Sequence, residues 1–371
     1  MKKICIVTAS RSEYGLLRWL IDEVKNDDQL ILQLVVTGSH LAAEYGLTYT
    51  EIENDGYIID EKIEILLSSS SLAGIVKSMG ICSIGFAEAF NRLKPDIIIV
   101  LGDRYELVPI CSAALVMNIP IAHISGGDVT EGAIDNQIRN VVTMMSTLHF
   151  PGVIDSGKRI QRMTGSNQNM YIVGEPGLDN FNRLKLWNRK HLAENLSLNS
   201  SNKWILLTYH PETKLNLDEN LITTKNIIEA LNLQNDVQVI ITGANSDYGG
   251  IQINEFLENT ATNNYSKYKF FMSLGQLRYL SLMQEVDFVI GNSSSGIVEA
   301  PYLGKIVINI GERQKGRYIS ANVINTSNDL ISISKAIEKA TTLNVCTDNY
   351  FGNGNSSRKI KDIVKNFLNN N

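Results

Sequence analysis

The chain has 371 residues, 44% of them hydrophobic, with 34 Lys and Arg against 39 Asp and Glu and a formal net charge of −5 at pH 7. That length predicts two or three domains with ample buried cores. The charge balance gives no electrostatic footprint for nucleic acid, and no basic amphipathic helix offers itself to a membrane surface, so any anionic ligand must be met by a local site. Cys5, Cys82, Cys111 and Cys346 are scattered, without a CxxC or a Cys/His cluster. Cys5 and Cys111 lie in apolar runs and read as buried free thiols, and neither a disulfide framework nor a zinc site is expected. The start MKKICIVTASRSEYG carries two lysines before an apolar run, but Arg11 and Glu13 break that run too soon for a secretory signal. By this reading no segment approaches 18 apolar residues, and the expectation is a soluble, cytoplasmic protein that does not span a membrane.

Short apolar runs alternate with helical patterns along the chain. Strands are predicted at Ile4–Thr8, Leu30–Thr37, Asp96–Leu101, Ile119–Ile124 and Met170–Val173, then at Trp204–Tyr209, Val237–Thr242, Tyr268–Met272, Phe288–Gly291 and Ile306–Ile310. Helical spacing recurs at Tyr14–Lys25, Leu72–Leu93, Glu106–Met117 and Leu217–Leu231. Runs rich in Val and Ile without polar alternation are buried on both faces, as in parallel sheets covered by helices. The fold class is therefore α/β, with two doubly wound Rossmann-like domains. Gly174-Glu175-Pro176-Gly177 and the polar run 197–202 are linker signals, which put the boundary between about 175 and 202. The domains are taken as 1–175 and 176–371, with the last helix, Ser357–Leu368, free to pack on either. The Asn-rich tail reads as solvated.

Ligands of such sheets sit beyond the carboxyl ends of the strands, and the unusual polar groups of this chain fall there. Thr8–Gly15 follows the first strand without a GxGxxG, and no acidic residue ends the second strand, so a dinucleotide fingerprint is absent. Arg11 instead offers a forked donor for phosphate, with a surface ion pair as the plain alternative. Asp103, Arg104 and Glu106 crowd the end of an apolar strand, where a helix-start carboxylate explains one of them but not all three. In the loop after Ile119–Ile124, Asp128, Glu131 and Asp135 set three carboxylates within eight residues, suited to acid/base work. Asp135 equally fits a helix N-cap, and His123 a satisfied core histidine.

The second half repeats the pattern. His210 and Asn245 each follow a strand, and Arg313, Lys315 and Arg317 follow Ile306–Ile310. GNSSSGIVEA, residues 291–300, runs from a strand through hydroxyls into a helix, a setting for phosphate, although an ordinary Ser N-cap looks the same. Phosphate-binding groups thus collect at one edge of the second sheet and carboxylates at the strand ends of the first.

The ordered set TASRSEYGLL, LGDRYE, HISGGDVTEGAID, YHPET, GNSSSGIVEA and INIGERQKGR resembles the hydrolysing UDP-N-acetylglucosamine 2-epimerases of bacterial sialic acid biosynthesis, over essentially the whole chain. The resemblance implies a GT-B-like fold with the active site in the interdomain cleft, and a homodimer or homotetramer. It implies conversion of UDP-N-acetylglucosamine and water to N-acetylmannosamine and UDP, through elimination to a glycal-type intermediate and then hydration, with no redox cofactor and no metal. Carried over by position, Arg11, His210, Asn245, Ser293, Ser294, Glu299 and Arg313 hold UDP: the serines meet the diphosphate and Glu299 the ribose hydroxyls. Asp103 and Asp135 match carboxylates associated with catalysis, and His210 belongs with them. Where some relatives carry a glutamate two residues after the loop histidine, this chain has Ser125, so Asp128 or Glu131 is expected to supply that carboxylate. Three alternatives share the motifs: a UDP-linked 2,4-diacetamido-trideoxy sugar as substrate, a non-hydrolysing 2-epimerase, and a GT-B glycosyltransferase.

Overall fold

The structure, a computed structural model, describes residues 1–67, 71–129, 134–212, 214–245 and 249–370. The strands are β1 Lys2–Thr8, β2 Leu30–Thr37, β3 Glu61–Ile63, β4 Ile97–Leu101, β5 Ile121–Ile124, β6 Leu148–Phe150, β7 Lys203–Thr208, β8 Val237–Thr242, β9 Tyr268–Phe271, β10 Phe288–Gly291, β11 Ile306–Ile310 and β12 Val323–Thr326. They form two six-stranded sheets, in the orders β3-β2-β1-β4-β5-β6 and β12-β11-β10-β7-β8-β9. Every pairing is parallel. The chain folds into two compact units, Met1–Asn182 with Tyr350–Asn371, and Arg183–Asn349.

Both sheets bury both faces, because successive side chains of a strand point to opposite sides. In β1, Ile4 and Ile6 enter one apolar cluster while Cys5 and Val7 enter another. In β7, Ile205 and Leu207 face one core and Trp204 and Leu206 the other. Cys5, Cys82 and Cys111 are buried free thiols.

Two expectations need correction. Met170–Val173 is not a strand: Met170 makes one isolated bridge to His149, and Val173 donates to the carbonyl of Pro151, which has no N–H to continue a ladder. The short β6 takes the sheet edge instead. The helix Leu72–Leu93 is long and apolar enough to cross a membrane by length and composition. It buries Cys82, Phe86, Ala89 and Phe90 in the first unit, and turns Leu72 (83% exposed), Val76 (67%) and Ile84 (66%) outward.

The helix Ser356–Asn370 belongs to the first unit. Ile360, Val364 and Leu368 pack into the same core as Leu17, Ile21 and Val24 of the helix Arg11–Lys25. The buried carboxylate of Asp179 accepts from the N–H groups of Ser356 (2.8 Å) and Ser357 (2.7 Å), capping that helix at its positive end. Asp27 receives Lys361 (3.3 Å) and Lys365 (2.8 Å).

Candidate functional site

In the first unit the functional side chains stand on the loops that follow β1, β4 and β5. Gly102, at φ +83°, turns the chain out of β4, and its N–H is held by the carbonyl of Ile124 (3.0 Å). His123, fully buried on β5, donates from Nε2 to the Gly102 carbonyl (2.8 Å) and accepts at Nδ1 from Thr143 (3.1 Å). Burial holds its pKa down to about 3, so it is a neutral core histidine that braces the Asp103 turn.

Asp103 pairs with Arg139, a buried guanidinium on the helix Asp135–Met145. Burial raises the Asp103 carboxyl above the usual carboxylate range; Arg139 opposes this, while Asp135 and Asp128 add to it. Asp103 and Asp135 line one cavity of about 430 Å³ together with Glu13, Arg104, Tyr105, Leu16 and Leu101. Asp135 is the first residue of its helix; Ile134 holds the N-cap place and makes no side-chain cap bond. Asp135 therefore is not an N-cap, and its carboxylate belongs to the cavity wall.

Asp128 is occupied elsewhere. Its Oδ1 accepts from Ser156 at 2.5 Å, and its carbonyl accepts from Arg139 Nη1 at 2.8 Å. Glu131 lies outside the described residues. Ser125 adopts φ 60°, a left-handed conformation uncommon for a non-glycine residue, and its N–H binds the Phe150 carbonyl (3.0 Å). Arg11 opens its helix exposed, 3.9 Å from Glu51, the surface pair weighed against phosphate binding.

Sequence reasoning missed a second charged group in this cavity. Glu13 Oε2 accepts from the Ala9 N–H (2.6 Å), and its Oε1 lies 4.0 Å from Arg104 Nε. Arg104 Nη2 also binds the buried Glu106 (2.7 Å). It missed Arg139 too, although that residue stands four positions after Asp135 and so on the same helix face.

In the second unit the loops after β7, β8, β10 and β11 carry the remaining residues. Gly291 ends β10 at φ +137°, and a Cβ there would stand 1.9 Å from the Thr208 carbonyl, so only glycine lets β10 close against β7. The next residue, Asn292, is 1% exposed and exchanges two hydrogen bonds with the main chain of His210, both 2.8 Å. The Asn245 N–H donates to His210 Nδ1 (3.1 Å). Arg313 Nη1 (3.2 Å) and Gln314 Nε2 (2.8 Å) both reach the Asn292 carbonyl. The helix Ser295–Tyr302 has Ser294 at its N-cap without a side-chain cap bond; the Ser293 hydroxyl instead accepts from the Ser295 N–H (3.4 Å), which leaves the Ser294 side chain out of the capping. Ser293 Oγ accepts from the Ser295 hydroxyl (3.0 Å), which Tyr279 also contacts (2.6 Å). Burial pushes the Glu299 carboxyl up to about 7, with Arg317 pulling it down. The buried Glu212 accepts from the Glu312 N–H (3.0 Å) and so fixes the loop that carries Arg313. Among the described residues no cluster of His, Cys, Asp and Glu could hold a metal ion.

Two doubly wound parallel units with polar groups at their strand ends define the GT-B-like class of α/β protein. A Methanocaldococcus jannaschii UDP-GlcNAc 2-epimerase, solved in complex with UDP-GlcNAc and UDP, has this fold: the TM-score is 0.80 at 19% identity, with 98% of this chain and 99% of that one covered. The chain belongs to the UDP-N-acetylglucosamine 2-epimerase family, whose sequence model matches residues 22–365. It is 40% identical to a Campylobacter jejuni GDP/UDP-N,N'-diacetylbacillosamine 2-epimerase (hydrolyzing) over 338 residues, 91% of this chain and 87% of the relative. It is 33% identical to the Escherichia coli polysialic acid biosynthesis protein P7, with 98% of this chain and 95% of that protein covered.

Proposed function

We propose that the protein is a hydrolysing 2-epimerase that converts a UDP-linked 2-acetamido sugar and water into UDP and the free 2-epimeric sugar. The observation that carries this reading is the pairing of Asp103 and Asp135 in one cavity, with Arg139 bound to Asp103. In the first stage a carboxylate takes the proton from C2 while the C1–O bond to UDP breaks, giving a glycal-type intermediate. In the second, water adds at C1 and a proton returns to C2 from the opposite face. Both stages need proton carriers beside C1 and C2, and burial raises the Asp103 carboxyl in the direction that favours holding a proton.

The second unit, on this reading, holds the nucleotide. Ser293, Ser294, His210, Asn245 and Arg313 supply donors to the diphosphate, and Glu299 accepts from the ribose hydroxyls. Asp128, bound to Ser156, anchors the loop and leaves the proton chemistry to Asp103 and Asp135.

For the sugar, we favour a 2,4-diacetamido-trideoxy hexose, supported by the 40% identity to a diacetylbacillosamine 2-epimerase and by Leu16 and Leu101 in the cavity wall, which suit a deoxy carbon. UDP-N-acetylglucosamine, put first by the sequence motifs, is the second reading, supported by the similarity to the polysialic acid protein. The protein is proposed to act in the cytoplasm, in keeping with its free thiols, and to assemble as a homodimer or homotetramer through the exposed apolar face of Leu72–Leu93.

The test is incubation with each sugar nucleotide in D2O, followed by proton NMR. UDP release with deuterium at C2 of a free sugar is expected. Release of UDP from neither, or a product still linked to UDP, overturns the reading.

A further inference from the structure

Asn292, the second residue of GNSSSGIVEA, is the point at which three loops meet. Its N–H donates to the Thr208 carbonyl (3.1 Å), continuing the pairing of β10 with β7 one step past Gly291. Its side chain then takes over from the backbone: Oδ1 accepts from the His210 N–H and Nδ2 donates to the His210 carbonyl, both at 2.8 Å. One amide thus stands in for a rung of the sheet, at a place where β10 has already turned into its loop. The carbonyl of Asn292 receives Gln314 and Arg313 from the loop after β11. The loops after β7, β10 and β11 are tied at a single buried residue.

The tie holds the His210 main chain in place, and a bond from the loop after β8 decides which nitrogen of its ring holds a proton. A backbone N–H can only donate, so the bond from Asn245 to Nδ1 requires Nδ1 to be bare. The ring proton is then on Nε2, and the ring is neutral, since a proton on Nδ1 would meet the Asn245 N–H head-on. A neutral ring with Nε2–H carries a donor at that nitrogen and no lone pair there to act as a base.

We propose that Asn292 is a positioning residue that fixes His210 as a neutral Nε2–H donor to the diphosphate and holds Arg313 to the same ligand. This rests on the nucleotide-binding reading of the second unit. It gives His210 the task of stabilising the departing phosphate oxygen and leaves proton transfer at C2 to the carboxylates of the first unit.

The experiment has two arms. In the first, imidazole 15N signals are recorded for the free protein, with His210 assigned among the five histidines by the signals lost in His210→Asn. A bare Nδ1 and a protonated Nε2 are expected at neutral pH, giving way to tautomer averaging in Asn292→Ala and Asn292→Asp and persisting in Gln314→Ala. In the second arm, UDP binding is measured by calorimetry. Asn292→Ala is expected to weaken it about ten-fold or more, for the loss of paired hydrogen bonds that fix two ligand contacts. Thermal unfolding checks that each variant is folded. An Nδ1–H tautomer or an imidazolium in the wild type overturns the proposal, as does unchanged UDP affinity in a folded Asn292→Ala. If the wild type binds no UDP, the nucleotide reading fails, and the first arm still decides whether Asn292 fixes His210.

Discussion

Arg104 and Glu106 are joined by a 2.7 Å ion pair whose carboxylate is completely buried, and the same guanidinium lies 4.0 Å from a second buried carboxyl, that of Glu13. One cation is shared by two acids, and Glu13 has the weaker hold on it. Burial therefore dominates at Glu13 and pushes its pKa from about 4.5 up to about 7, against the Ala9 N–H and Arg104, with Glu106 adding to the rise. Between these two values the folded protein keeps a proton that the unfolded chain has lost. Stability is then fully present below about pH 4.5, falls as pH rises to about 7, and is level above. Glu13→Gln should remove this slope, so that denaturant unfolding of the variant and the wild type diverges across that window. Parallel curves would mean that Glu13 is ionised throughout.

Asp103→Asn tests the proton chemistry. Asparagine can still accept from Arg139, so the Arg139 bond to the Asp128 carbonyl and the loop should persist. Turnover is expected to fall by about 10²–10⁴-fold, the usual worth of a general acid/base group. UDP affinity should change by less than about three-fold, because the diphosphate is assigned to the other unit. A large loss of UDP affinity would make Asp103 a binding or structural residue.

Glu299 offers a test of the ribose contact. A carboxylate that accepts two hydroxyl hydrogen bonds is ionised, whereas in the free protein the group titrates at about 7. UDP binding near pH 6 should release protons, and affinity should rise with pH toward 7. Glu299→Gln should lose this component, and the comparison subtracts the titration of the ligand phosphate. Glu299→Ala should weaken UDP binding by about 1.5–3 kcal/mol, the worth of hydrogen bonds to a charged group. Calorimetry in two buffers of different ionisation enthalpy reads both effects.

The outward face of Leu72–Leu93 repeats Leu72, Val76, Gly80 and Ile84 at four-residue intervals, and all four are exposed. Such a ridge suits a second helix packed along it. If the proposed homo-oligomer forms through this ridge, Ile84→Asp should give a smaller species in sedimentation than the wild type without lowering the unfolding temperature of the units themselves. An unchanged sedimentation coefficient would move the interface elsewhere.

The interior strands could be read from the sequence because burial on both faces leaves apolar runs, unbroken in Ile97–Leu101 and interrupted only by Gln238 before the terminal Thr242 in Val237–Thr242. The edge strands β3 and β6, three residues each, carry no such run and were invisible. Asp103 and Asp135 stood out because charge after a buried strand demands a reason. Arg139 did not, since an arginine on an amphipathic helix has an easy home in solvent; only its burial against Asp103 reveals the partnership. Asn292 is hidden for a different reason. Its four hydrogen bonds to His210, Arg313 and Gln314 join positions up to 82 residues apart, and no local pattern encodes them.

The helix Ser356–Asn370 is covered by the first unit but lies beyond the second in the chain, so the first unit is written in two pieces with the second inserted. On the ribosome all of Arg183–Asn349 emerges before the helix that seals Leu17, Ile21 and Val24. The second unit is contiguous and can fold as it is made, while the first unit waits with an open apolar seam until the helix Ser356–Asn370 arrives. Translation itself thus imposes an order of maturation on the two halves, and the half left waiting is the one whose apolar seam stays open to water the longest.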